Sequence, residues 1–97
     1  MTETSPNDQA RVHIWVSGRV QGVGFRAYVL QAGAFMNLVG WVHNLGYDEV
    51  ETVAEGPRPV LESFLEAVKT GPRAAHVEAA HVEWETPLGQ FKRFDVK

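Results

Sequence analysis

Two stretches of the chain each carry a single apolar stripe at helical spacing, and both are bracketed by segments whose apolar residues alternate. That switch of period constrains the fold more than any other feature. In the first helical stretch Phe25, Tyr28, Val29, Ala32, Phe35 and Met36 recur at three and four residues, and the run ends near Asn37, which suits the left-handed position just past a helix. In the second, "GPRPVLESFLEAVKTGPR", Pro57 sits where a first helical residue would be and Val60, Leu61, Phe64, Leu65 and Val68 form the stripe. Gly71 and Pro72 close it. "RVHIWVS" reads as a strand with Val12, Ile14 and Val16 on one face, and "LVGWVHN" as another. "EVETVAE" sets Val50, Thr52 and Ala54 against Glu49, Glu51 and Glu55, which predicts one buried face and one solvated face. In "AHVEAAHVEWE" the alternation changes phase from Val77 and Ala79 to Val82 and Trp84, predicting a bulge. "FKRFDVK" offers a short edge strand.

The resulting order is β-α-β-β-α-β. Two helices with one stripe each must cover the same face of an antiparallel sheet, and crossover handedness leaves an α+β, ferredoxin-like βαββαβ sandwich. The expected sheet has four antiparallel strands with room for a short fifth. A chain of 97 residues accommodates one such domain, here residues 11–97, with the polar "MTETSPNDQA" (residues 1–10) as a flexible tail. An apolar fraction of 44% and a charged fraction of 22% are ordinary for a globular protein. The chain has no cysteine, which excludes disulfides, a thiolate nucleophile and a cysteine zinc site. No apolar run approaches the roughly 20 residues of a membrane span, and no signal-peptide pattern is present, so a cytoplasmic location and no membrane contact are expected. The formal charge of −3 argues against a nucleic-acid partner.

Chemistry concentrates in "SGRVQGVGFRAYVLQ", Ser17 to Gln31, where Gly18, Gly22 and Gly24 lead directly into Phe25 and Arg26 at the start of the first helix. Amides without helical partners converge at a helix N-terminus, and the helix dipole adds partial positive charge, so the place favours an anion. Gly22 and Gly24 allow the backbone to close on it, and Arg26 adds a forked cation that can hold two phosphate oxygens. The stretch lacks the Gly-Lys-Ser/Thr ending of a P-loop and the G-x-G-x-x-G spacing of a dinucleotide site. A turn that only turns remains the alternative on these grounds.

"GRVQGVGFR", Gly18 to Arg26, resembles the signature of the acylphosphatase family. "GWVHN", Gly40 to Asn44, resembles that family's second motif at the family's spacing, and "VETVAEG" continues the similarity into the third strand. The resemblance implies the same ferredoxin-like fold and hydrolysis of the carboxyl–phosphate bond in small acyl phosphates, without metal or organic cofactor. It implies that Arg26 and the loop amides of Val20, Gln21, Gly22, Val23, Gly24, Phe25 and Arg26 bind the phosphoryl group, and that Asn44 orients the attacking water. The expected partner is a small-molecule acyl phosphate, and the expected state a monomer. A carboxylate is a good leaving group, so charge stabilisation and a positioned water suffice.

Two positions depart from the family pattern. Tyr47 and Asp48 stand where Asp-Gly is usual after Asn44, so either Gly46 takes a strained position in a shifted or longer loop or Tyr47 is held there at a cost. Gly33 stands inside the first helix, about 1 kcal/mol worse than alanine. His13, His43, His76 and His81 lack ligand-like spacing, Ser17 has no assignable base, and Trp15, Trp41 and Trp84 read as packing. A non-catalytic phosphate- or RNA-binding module on the same fold is the alternative function.

Overall fold

Seven elements follow one another: β1 (Gln9–Arg19), α1 (Phe25–Phe35), β2 (Val39–Leu45), β3 (Glu49–Pro57), α2 (Arg58–Thr70), β4 (His76–Glu85) and β5 (Phe94–Val96). The structure, a computed structural model, describes residues 8–97. The strands form one sheet in the order β4-β1-β3-β2-β5, with both helices packed on one face, which is the ferredoxin-like sandwich expected. Four strands are antiparallel, whereas β5 joins β2 in parallel, pairing Phe94 with Gly40 and Val96 with Val42. The sheet is therefore mixed. β1 starts at Gln9, opposite Pro57, two residues before the expected start of the domain. Residues 1–7 of the expected tail lie outside the described residues.

The core follows the alternation and the stripes. Val12, Ile14, Val16, Val50, Thr52 and Ala54 project from the sheet and are buried against Phe25 and Val29 of α1 and Leu61, Phe64 and Val68 of α2. Each large side chain removed from water here contributes about 1.5–3 kcal/mol. Asn37 takes the left-handed conformation beyond α1 (φ 58), as its identity suggests. Pro57 ends β3 and caps α2 from outside, one position earlier than expected.

Phe35 departs from the expected stripe and is 86% exposed. At about 100° per residue, Phe25, Val29 and Gly33 mark the buried line of α1, and Phe35 falls well to one side of it. Gly33 belongs on that line because the Phe94 ring of β5 lies directly against it, where a Cβ would collide. β4 carries a bulge, but at Glu78, left over between Val77 opposite Gly18 and Ala79 opposite Ser17, and so ahead of Ala79 rather than between Ala79 and Val82 where the alternation placed it. The β2–β3 connection is a three-residue loop, Gly46 to Asp48, closed by the Leu45–Glu49 pair, and Gly46 supplies the positive φ (63). Tyr47 needs no strained conformation and points into solvent, 90% exposed.

The second face of β3 is not the solvated row of glutamates that its alternation predicts. Glu55 is only 5% exposed; Arg11 Nη1 donates to it at 2.8 Å, and the backbone N–H groups of Leu88 and Gly89 donate at 2.9 and 3.1 Å. Glu51 lies between His13 and His43, with Nε2 of each imidazole 2.6 Å from its carboxylate. Trp15 stacks on His13 with ring centres 3.7 Å apart. A central strand shields its own carboxylates under neighbouring side chains, a tertiary effect that alternation cannot register. Among the described residues, no group of three or more His, Asp or Glu is arranged to hold a metal ion.

Burial alone would raise the Glu55 carboxyl, but the Leu88 and Gly89 amides and the Arg11 guanidinium outweigh it and hold the group below its ordinary value of 4.5. A carboxyl depressed on folding adds stability above the unfolded value and loses it as pH falls through the folded one. Glu55→Gln should therefore cost about 1–3 kcal/mol at neutral pH. The deficit against wild type should shrink as pH falls below 4.5 and the wild-type carboxylate takes up its proton, and urea unfolding at neutral and at progressively lower pH measures it.

Candidate active site

The loop between β1 and α1 takes its shape from two left-handed glycines. Gly22 (φ 73) and Gly24 (φ 79) alternate with Gln21, Val23 and Phe25, and a Cβ on either glycine would meet no neighbouring atom within 4 Å. Their requirement is thus the dihedral itself. Gly24 is the N-cap of α1 and provides no side-chain cap, and the first turn holds no acidic residue. The first helical hydrogen bond runs from the Tyr28 N–H to the Gly24 carbonyl at 3.0 Å. The N–H groups of Phe25, Arg26 and Ala27 precede it and have no helical acceptor, so they remain for an external anion.

A cavity of about 380 Å³ opens at this helix end and is lined by residues 20–22 and 24–27 together with Leu30, Asn44 and Val96. Arg26 and Asn44, predicted as functional partners, face one space although they belong to α1 and β2. Val20 is buried at its base, 1% exposed, and Gln21, Gly22, Gly24 and Phe25 share the wall. Val23 does not line the cavity, and its side chain packs against the core. Arg26 is exposed and forms no ion pair with any described residue, and the Asn44 carboxamide has no hydrogen-bond partner among them.

Three wall residues escaped the sequence reading. Ala27 and Leu30 follow Arg26 on the accessible side of α1, and the i, i+4 spacing of Arg26 and Leu30 is the signal that could have found them. Val96 could not have been found that way: it arrives two residues after buried Phe94 on a strand whose parallel pairing sets it beside Val42. These side chains give the cavity an apolar flank next to its cationic end.

A family model described as Acylphosphatase matches residues 12–96, nearly all of the domain. The chain belongs to the acylphosphatase family. It is 46% identical over 87 residues to the acylphosphatase of Syntrophotalea carbinolica, covering 90% of this chain and 95% of that one. Among solved structures it is similar to the acylphosphatase of Bacillus subtilis (TM-score 0.86, 41% identity, 91% of this chain and 98% of the other). It is also similar to an acylphosphatase from Coxiella burnetii (TM-score 0.83, 36% identity, all of both chains). Gly24→Ala tests the left-handed geometry of this loop. Forcing alanine into the left-handed region should cost about 1–2 kcal/mol with no steric clash to add. Thermal melts should show the loss, and titration of inorganic phosphate should show weakened binding as the amides are re-aimed.

Proposed function

We propose that the chain hydrolyses the carboxyl–phosphate bond of small acyl phosphates, acting as a monomer in the cytoplasm. The observation that carries this reading is a single cavity joining an uncapped helix N-terminus, Arg26 and the Asn44 carboxamide from a different element, the last two without a side-chain partner among the described residues. The helix amides and Arg26 take the phosphoryl group, with the guanidinium fork spanning two equatorial oxygens. Asn44 accepts one hydrogen bond from a water and donates another, holding it toward phosphorus. Water oxygen bonds to phosphorus, the P–O bond to the acyl group breaks, and its electron pair leaves on the carboxylate. Both protons of the water pass to the phosphate product, which exchanges one with solvent according to pH.

Catalysis of this kind needs little more than charge stabilisation and a placed nucleophile, since the loose transition state spreads charge over the phosphoryl oxygens. No general base is required of Asn44, which cannot be one. The apolar flank of Leu30 and Val96 lies where an acyl group could extend from the phosphoryl site. Release of phosphate from benzoyl phosphate tests the reading, and a folded chain that binds phosphate without turnover would favour the non-catalytic module instead.

Arg26→Ala should lower kcat for benzoyl phosphate by about a thousand-fold or more while the fold persists. Arg26→Lys should not restore it, because a point charge lacks the fork; steady-state rates on the two variants decide. Asn44→Ala should lower kcat by about a hundred-fold through a misplaced water. Its competitive inhibition by inorganic phosphate should stay close to that of wild type, as read from initial rates.

A further inference from the structure

The two halves of the cavity stand on strands that do not touch. β3 lies between β1 and β2, so the loop that leaves β1 and Asn44 near the end of β2 are separated by two strand spacings, about 10 Å. The Asn44 carboxamide has no hydrogen-bond partner among the described residues, and its backbone is held in the β2–β3 ladder opposite Val50. Its direction therefore depends on where the backbone of the β2–β3 hairpin end is held.

One side chain crosses the gap. The Gln21 Nε2 donates to the Glu49 carbonyl at 2.9 Å and to the Gly46 carbonyl at 3.2 Å, with the Leu45 carbonyl at 3.5 Å completing the set. An amide has two protons, so the two shorter contacts use both. Leu45 follows Asn44 directly, Gly46 is the left-handed residue of the turn, and Glu49 opens β3. The turn residues make no backbone hydrogen bond within their own loop outside the ladder; besides Gln21, the Gly18 N–H donates to the Asp48 carbonyl at 3.1 Å. Gln21 is meanwhile part of the cavity wall beside Gly22.

We propose that Gln21 is a positioning residue for the hydrolysis described above, its side chain fixing the hairpin end, and with it Asn44, at a set distance from the phosphate-binding loop. The residue thus lines the cavity beside the phosphate-binding loop while its carboxamide holds the hairpin end that carries Asn44. The role rests on the hydrolase reading, and the experiment separates the two.

The test is a double-mutant cycle of Gln21→Met, which keeps the length and removes both donors, with Asn44→Ala, measured on benzoyl phosphate. Gln21→Met alone should lower kcat by about ten-fold through a displaced Asn44, while the inhibition constant of inorganic phosphate shifts by less than about two-fold. In the Asn44→Ala background, Gln21→Met should lower kcat no further. Gln21→Asn, one methylene short of the hairpin, should reproduce the loss in kcat and serves if Gln21→Met folds poorly. Amide relaxation of residues 45–48 by NMR should show the hairpin end loosened in either variant. Unchanged kcat, a loss of phosphate affinity matching the loss in kcat, or losses that multiply across the cycle would each overturn the positioning role alone. A wild type that does not turn over, or an Asn44→Ala variant at full rate, would overturn the hydrolase reading and this role with it.

Discussion

Both helices must bury their stripes on the same face of one sheet, and each connects two parallel strands by a right-handed crossover. Interleaving two such units is what places β3 between β1 and β2, and β1 between β3 and β4. Everything at the cavity follows from this arrangement. The anion cradle forms where β1 hands over to α1, and the carboxamide arrives on a strand two places away. The cavity is the notch above the end of the intervening strand, bridged at its rim by the hairpin turn and closed on its apolar side by β5.

The helix-free face is finished by a different chemistry. Instead of a second apolar layer, β3 presents Glu51 and Glu55, and the flanking strands supply His13, His43 and Arg11 to pair with them. Trp15 stacks flat on His13, Trp41 meets His13 and His43 edge-on, and Lys97 lies 4.2 Å from the centre of the Trp41 ring. With Glu83 and Glu85 on the adjoining strand, two of whose carboxylates meet histidine or arginine, the face is an ion-paired surface with an acidic balance. Such a surface offers little to a polyanion, and the aromatic residues on it are held by their neighbours.

What the sequence shows of this depends on the range of the interaction. The strands and helices were legible because their periods are local, and so were the loop glycines, whose dihedrals require that residue type. Arg26 and Asn44 were legible as motif members, and the cavity joins them. Glu55 was misread because its partners, Arg11 and the Leu88–Gly89 backbone, lie more than thirty positions away in either direction. Phe35 was misread because a stripe drawn by spacing alone is wider than the line that the sheet covers. Gly33 looked like a defect of α1 until Phe94 was placed against it. The Gln21 side chain and Val96 are likewise matters of tertiary approach, invisible to any window along the chain.

The unpaired residue at Glu78 bears on how the molecule behaves in company. A ten-residue outer strand with free backbone groups along one side is a template on which another chain could crystallise a sheet, the first step toward fibres. An extra residue near its start twists that ladder out of register, and exposed Glu78, Glu83 and Glu85 add like charge along the same rim. At the opposite rim β5 offers only three residues, flanked by Lys92, Arg93 and Lys97. Neither border gives an incoming strand a long, flat and neutral run to copy, so both edges of the sheet are built against the addition of another chain.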